Sequence, residues 1–283
     1  AYKARDLELA RRLKAQGVKI IFDLCDNRFL HRQERVGPLR EMLSYSDRWV
    51  ASSRALADVV RREMGDGTPL DVIEDAVEVR FSGNLLDIGG WLRAHAQLRA
   101  LDHFLAHAGA GMHLVWFGSH KGVYQDSGLA HMAKSRSLLE ALHASQPLSL
   151  TVISNSREAF ETVFSGWQLP MFYLDWSAHT FFSAMRRHDV AVIPIVVNEF
   201  TAVKTNNRIA LSLSLGLGVV ADGIESYRIF SDCAFLDRWE EGLSAYLNDP
   251  ELAVRHAQCG QQIITENFSD SVIAEHWRQL LAD

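Results

Sequence analysis

Lys204, Thr205, Asn206, Asn207 and Arg208 follow one another without interruption, after the apolar run 190–197 and before the apolar run that starts at Ile209. Two cations, a hydroxyl and two carboxamides in one short segment suit a phosphate-bearing ligand that has further hydroxyls to read. The plainer alternative is a capped helix start with solvated cations. A second group follows the apolar run 112–117: Gly118, Ser119, His120, Lys121 and Gly122. Amides of a small-residue loop approach a phosphate closely, with Lys121 beside them. His120 either assists a leaving group or is ordinary polar surface. Asp23 and Asp26 close a third apolar run, 18–24, where a carboxylate faces an acceptor or Asp26 merely caps a turn.

The elements that would position these residues are legible from apolar runs and their breaks. VAVIPIVV at 190–197 is uniformly apolar, as a strand covered on both faces by helices must be. The helix behind it ends at Gly216, and Val219 opens the next strand. Strands are expected at 18–24, 48–52, 70–75, 112–118, 148–154 and 171–176. Helical segments separate them, among them 2–16, 36–45, 95–108, 128–145 and 177–187. Strand and helix in alternation predict an α/β fold built on doubly wound parallel sheets, whose ligands sit at the carboxyl edge. Gly83, Gly89 and Gly90 mark a linker. The expected units are residues 1–90, 91–265 and a C-terminal helix at 266–283 that packs back on the first.

Composition narrows the classes. A net charge of −6 without a basic tail argues against nucleic acid as the main partner. No apolar run approaches the ~20 residues that span a bilayer. The twelve histidines show no ligand spacing, so neither metal nor cofactor is expected. Cys25, Cys233 and Cys259 are odd in number and far apart, which predicts buried unpaired thiols and a cytoplasmic location. The chain opens at Ala1 in helix-like sequence, as if a beginning had been removed.

In order, LVWFGSHKG, LTVISN, LDWS, VAVIPIV, KTNNRIALSLSLGLGVVAD and IESYRIF resemble the C-terminal domain of GT-B-fold glycosyltransferases of the retaining family 4 type. VASSRALADVVRREMG, LDVIEDAVEV and IIFDLCDNRF resemble parts of the N-terminal domain. The resemblance implies two Rossmann-like domains facing a cleft, the N-terminal one incomplete, with its first strand and glycine-rich loop missing. It implies transfer of a sugar from a nucleotide-sugar donor to a glycan or lipid-linked acceptor with retention of configuration, and leaves room for peripheral contact with the inner face of a membrane.

Carried over by position, His120, Lys121 and Lys204 become the catalytic candidates. Gly118, Ser119, Thr205, Asn206, Asn207 and Arg208 face the donor diphosphate. Asn155 and Trp176 end strands that flank the nucleobase. Ser226 and Tyr227 are further donor contacts, while Asp23 and Asp26 fall on the acceptor side.

One departure concerns charge. The family carries two glutamates separated by seven residues, and counting back from Gly216 these positions hold Val203 and Leu211. Glu199, Asn206 or Asn207 would then serve the donor instead. The alternative reading is a non-catalytic GT-B-like binding or scaffold protein of glycan biosynthesis.

Overall fold

The computed structural model describes residues 4–31, 33–78, 87–109, 111–120 and 128–282. Two parallel sheets organise them. The first has three strands in the order β1 (Ile21–Leu24), β2 (Arg48–Ala51) and β3 (Leu70–Val72), with Leu24 opposite Ala51 and Ala51 opposite Val72. Helices α1 (Ala4–Ala15), α2 (Gln33–Ser44) and α3 (Arg54–Met64) accompany it. Ser53 caps α3 by accepting the Leu56 amide at 3.1 Å, and Gly65 closes that helix at φ 83°. Leu56, Val59 and Val60 turn one face of α3 onto Leu24, Trp49 and Ala51.

The second sheet has six strands in the order β6, β5, β4, β7, β8, β9, all parallel. They are β4 (Met112–Phe117), β5 (Leu148–Ser154), β6 (Met171–Asp175), β7 (Val190–Ile193), β8 (Gly218–Ala221) and β9 (Phe235–Leu236). All seven residues of β5 are buried, as layers of helix on both faces require. Around them lie α4 (Ile88–His107), α5 (Arg136–Ser145), α6 (Arg157–Val163), α7 (Phe181–Met185), α8 (Asn207–Ser214), α9 (Trp239–Asn248) and α10 (Pro250–Asn267). The last helix, α11 (Asp270–Ala282), returns to the first sheet, where Ile273 and Leu280 pack on Val50 and Ile73.

Several elements are shorter than the apolar runs suggest. The run 190–197 yields a strand only to Ile193, because Pro194 has no amide for the ladder, and Val196 and Val197 are exposed. The 18–24 run forms a strand from Ile21, and 70–75 only to Val72. The 128–145 segment is a 3-10 stretch to Ser135 followed by α5, and 177–187 narrows to α7. In contrast α4 starts at Ile88, ahead of the expected 95, with the Asp87 carboxylate accepting the Gly90 amide at 2.8 Å.

The cysteine expectation is overturned. Cys233 and Cys259 form a disulfide with Cα atoms 5.6 Å apart, and Cys25 is exposed. Packing of α10 against α8 and β8 brings Cys259 beside the segment before β9, a juxtaposition that 26 residues of intervening sequence do not announce. The argument for a reducing compartment loses its basis. Among the described residues no helix is long and apolar enough to cross a membrane.

Candidate functional site

The chain winds outward from β4 through β5 to β6, then restarts on the other side of β4 with β7, β8 and β9. The loops leaving β4 and β7 therefore diverge and open a crevice at the carboxyl edge. A cavity of about 620 Å³ occupies it, walled by Gly118 after β4, Ile195 after β7, the start of α8 and Asp26 from the first sheet.

The β4 loop is held at both ends. Gly118 donates its amide to Ile153 and accepts Ser154 Oγ at 2.8 Å. At φ 155° an added Cβ would lie 3.2 Å from the Trp116 ring, so a side chain fits poorly. His120 gives its amide and its Nδ1–H to Asn155 Oδ1, at 3.0 and 2.7 Å. Gly128 closes the far side at φ 74°, where a Cβ would stand 2.3 Å from the Ser119 carbonyl oxygen. Lys121 lies outside the described residues.

The β7–α8 loop is shaped by Asn198, whose Oδ1 accepts the Phe200 and Thr201 amides at 2.9 Å each. Thr201 Oγ1 donates to the Val196 carbonyl at 2.7 Å. Lys204 then emerges with its Nζ 4.1 Å from the Phe200 ring centroid and 2.5 Å from Asp26 Oδ1. Ser226 Oγ donates to the Lys204 carbonyl at 2.7 Å, which fixes the main chain at that point.

Arg208, in the first turn of α8, lines the cavity with its guanidinium carbon 5.4 Å from the Trp116 ring centroid and 5.2 Å from that of Phe117. One Nη2 donates to the Phe117 carbonyl at 2.6 Å, whereas Nε is buried with no hydrogen-bond partner. Among the described residues no carboxylate pairs with this cation. Burial lowers its pKa from the ordinary value, and Tyr227 beside it has its phenol pushed up to about 12, also by burial. A half-buried positive charge, unpaired with any described carboxylate and beside a helix N-terminus, is an arrangement completed by an anion.

The structure thus gathers Gly118, Ser119, Lys204, Thr205, Asn207, Arg208, Tyr227 and Asp26 around one cavity. Other expected residues lie behind or beyond it. Asn206 is 1 % exposed beneath the first turn, with both amide atoms unpartnered. Ser226, His120 and Asn155 act on the loops rather than the wall. Glu199 is an exposed side chain whose main-chain oxygen accepts Asn27 Nδ2 at 3.1 Å. Trp176 follows β6, on the outer edge of the sheet, and is 58 % exposed. Asp23 ends near Asp75, and burial first, then the Asp75 charge, raises its pKa.

Sequence reading missed Trp116, His131, Phe200 and Thr201 in the wall. Thr201 had a signal, since Asn198 three residues before it announces an Asx turn. His131 had none. Val203, at one glutamate position of the resembling family, points away from the cavity into the core around α3, and Leu211, at the other, packs against the second sheet's core.

No protein-family model matches this chain, and no curated protein is significantly similar to it in sequence. Solved structures do match. Anabaena HepE in complex with UDP and glucose superposes with a TM-score of 0.70 at 11% identity, covering 99% of this chain and 76% of that one. Sucrose-phosphate synthase from Thermosynechococcus elongatus gives 0.66 at 12% identity, covering 98% and 72%. The E. coli trehalose-6-phosphate structure bound with UDP-2-fluoro glucose gives 0.67 at 13% identity, covering 97% and 71%. The fold is the α/β GT-B arrangement of two Rossmann-like units facing a cleft.

Proposed function

We propose that this chain is a glycosyltransferase that binds a nucleoside-diphosphate sugar at the β4–β7 crevice and passes the sugar to a glycan or lipid-linked acceptor with retention of configuration. The observation that carries this reading is Arg208: a half-buried guanidinium lying against Trp116 and Phe117, its Nε buried and unpartnered, unpaired with any described carboxylate, on the wall of a 620 Å³ cavity. Similarity of fold to proteins solved with UDP or a UDP-sugar supports a UDP-type donor.

Breaking the bond between the anomeric carbon and the diphosphate oxygen leaves negative charge on the departing group. Arg208, Lys204 and the amides at the start of α8 stabilise that charge in place. Asn155 holds His120, and with it the path of the loop whose Gly118 and Ser119 line the cavity. Asp23 and Asp26 face the acceptor from the first sheet. The unit at 1–90 supplies the acceptor side and 91–265 the donor side.

The test is a thermal-shift panel of UDP, GDP, ADP and dTDP on the wild type, Lys204→Ala and Arg208→Ala. Ligand at a hundredfold excess over Kd adds ~2.7 kcal/mol, a shift of several degrees. One diphosphate that stabilises the wild type and not Arg208→Ala supports the site; none doing so refutes it. Val203 and Leu211 in place of acids favour the second reading, a binding protein without turnover, and binding with no sugar transfer or hydrolysis would select it.

A further inference from the structure

The β7–α8 loop is tied to the first sheet along its length. Asn27, 2 % exposed, donates to the Glu199 carbonyl at 3.1 Å. Ser53 Oγ donates to the Val203 carbonyl at 2.7 Å, and the Val203 side chain is buried among residues of β1, β2 and α3. Asn207 Nδ2 donates to Asp75 Oδ2 at 2.8 Å. Lys204 Nζ sits on Asp26 Oδ1 at 2.5 Å. The Asn27 and Ser53 contacts end on main-chain oxygens that no ligand replaces, whereas Asn207–Asp75 is an exposed contact between two side chains. The Lys204–Asp26 pair differs: both partners line the cavity, and both remain about a third exposed.

A carboxylate on the ammonium makes the same charge-assisted contact that a phosphate oxygen would make. Two cations on one cavity thus stand in unlike states: Arg208 without a described counter-ion, Lys204 already neutralised from the opposite sheet.

We propose that Asp26 is a built-in competitor for the ligand's second phosphate, so that a diphosphate takes Arg208 freely but must draw Lys204 away from Asp26, and that doing so releases the charged tie between the two sheets. This rests on the reading of the crevice as an anion site. A monophosphate satisfies Arg208 and leaves the Lys204–Asp26 pair closed. A diphosphate engages both cations, frees the Asp26 carboxylate on the acceptor side at the moment the donor arrives, and leaves the Asn27 and Ser53 ties to the main chain in place. Affinity for a diphosphate is held down by the strength of the ion pair it replaces, and the affinity for a monophosphate is not.

The experiment compares orthophosphate and pyrophosphate, titrated calorimetrically into wild type, Asp26→Asn and Arg208→Ala. Asn keeps the shape of Asp26 while removing its charge, and a circular dichroism melt checks each fold. A partly exposed ion pair is worth up to ~1 kcal/mol, so Asp26→Asn should tighten pyrophosphate by about fivefold. Orthophosphate should change by less than about twofold. Equal tightening of both anions is a general charge effect and overturns the competition, as does no change in either, while the site reading survives if Arg208→Ala still abolishes pyrophosphate binding. Absence of pyrophosphate binding in both wild type and Asp26→Asn overturns the anion site itself and the competition with it.

Discussion

Asn155 Oδ1 accepts two hydrogen bonds from one residue, the main-chain amide and the ring Nδ1–H of His120, across the carboxyl ends of β5 and β4. The bidentate contact sets both the path of the loop and the rotamer of the ring. Replacing Asn155 by Ala removes two exposed hydrogen bonds, ~1–2 kcal/mol of loop order at most. The expected outcome is a melting temperature within a few degrees of wild type and a several-fold weaker nucleotide affinity, read by calorimetry. Unchanged affinity would detach this loop from the site.

Arg208 sets function against stability. Its Nε is buried and unpartnered, and its burial disfavours the charge. Arg208→Met keeps the apolar stem against Trp116 and Phe117 while deleting the cation. The variant should melt at or above the wild-type temperature, by up to ~1 kcal/mol, and bind no diphosphate. A variant that is clearly less stable would show that the Phe117 carbonyl contact outweighs the buried charge.

His188 predicts the acid limb of the stability profile. Burial lowers its pKa from the ordinary 6.5 to about 4, and its Nδ1 is engaged with the Ala184 carbonyl at 2.9 Å. The unfolded chain therefore takes up a proton before the folded chain does, so stability falls as pH drops from about 6.5 towards 4. Chemical denaturation across that range should show a shallower decline in His188→Gln than in the wild type.

Tyr227 does the reverse at the alkaline end. Its pKa is raised from 10.0 to about 12, so the unfolded phenol ionises first and stability is lost as pH rises through that interval. Tyr227→Phe should lessen the alkaline loss measured between those two values.

Gly128 tests the loop from its other end. With φ at 74° and the Ser119 carbonyl oxygen 2.3 Å from an added Cβ, Gly128→Ala forces the loop to move. A cost of roughly 1–3 kcal/mol is expected, together with weaker diphosphate binding in calorimetry.

What the sequence disclosed was what local rules govern. The 148–154 run gave its strand end to end because burial on both faces leaves an unmistakable apolar signature. The polar segment 204–208 announced a helix start, and four of its five residues reach the cavity. Non-local pairings were silent. Asp26 and Lys204 stand 178 residues apart, and nothing in either neighbourhood names the other. His131 entered the wall from a 3-10 stretch that reads like helix, and Trp176 left it because β6 lies at the sheet's outer edge. The disulfide escaped for the same reason as the ion pair.

That disulfide also bears on the outer edge of the second sheet. β9 is an outer strand of the second sheet and consists of Phe235 and Leu236 alone. Two residues offer too short a ladder to recruit a foreign strand. Cys233, two residues before it, is stapled to Cys259 on α10, so the strand cannot lengthen by peeling its neighbours from the body. Reduction of that bond would therefore free the segment before this edge strand from its tie to α10.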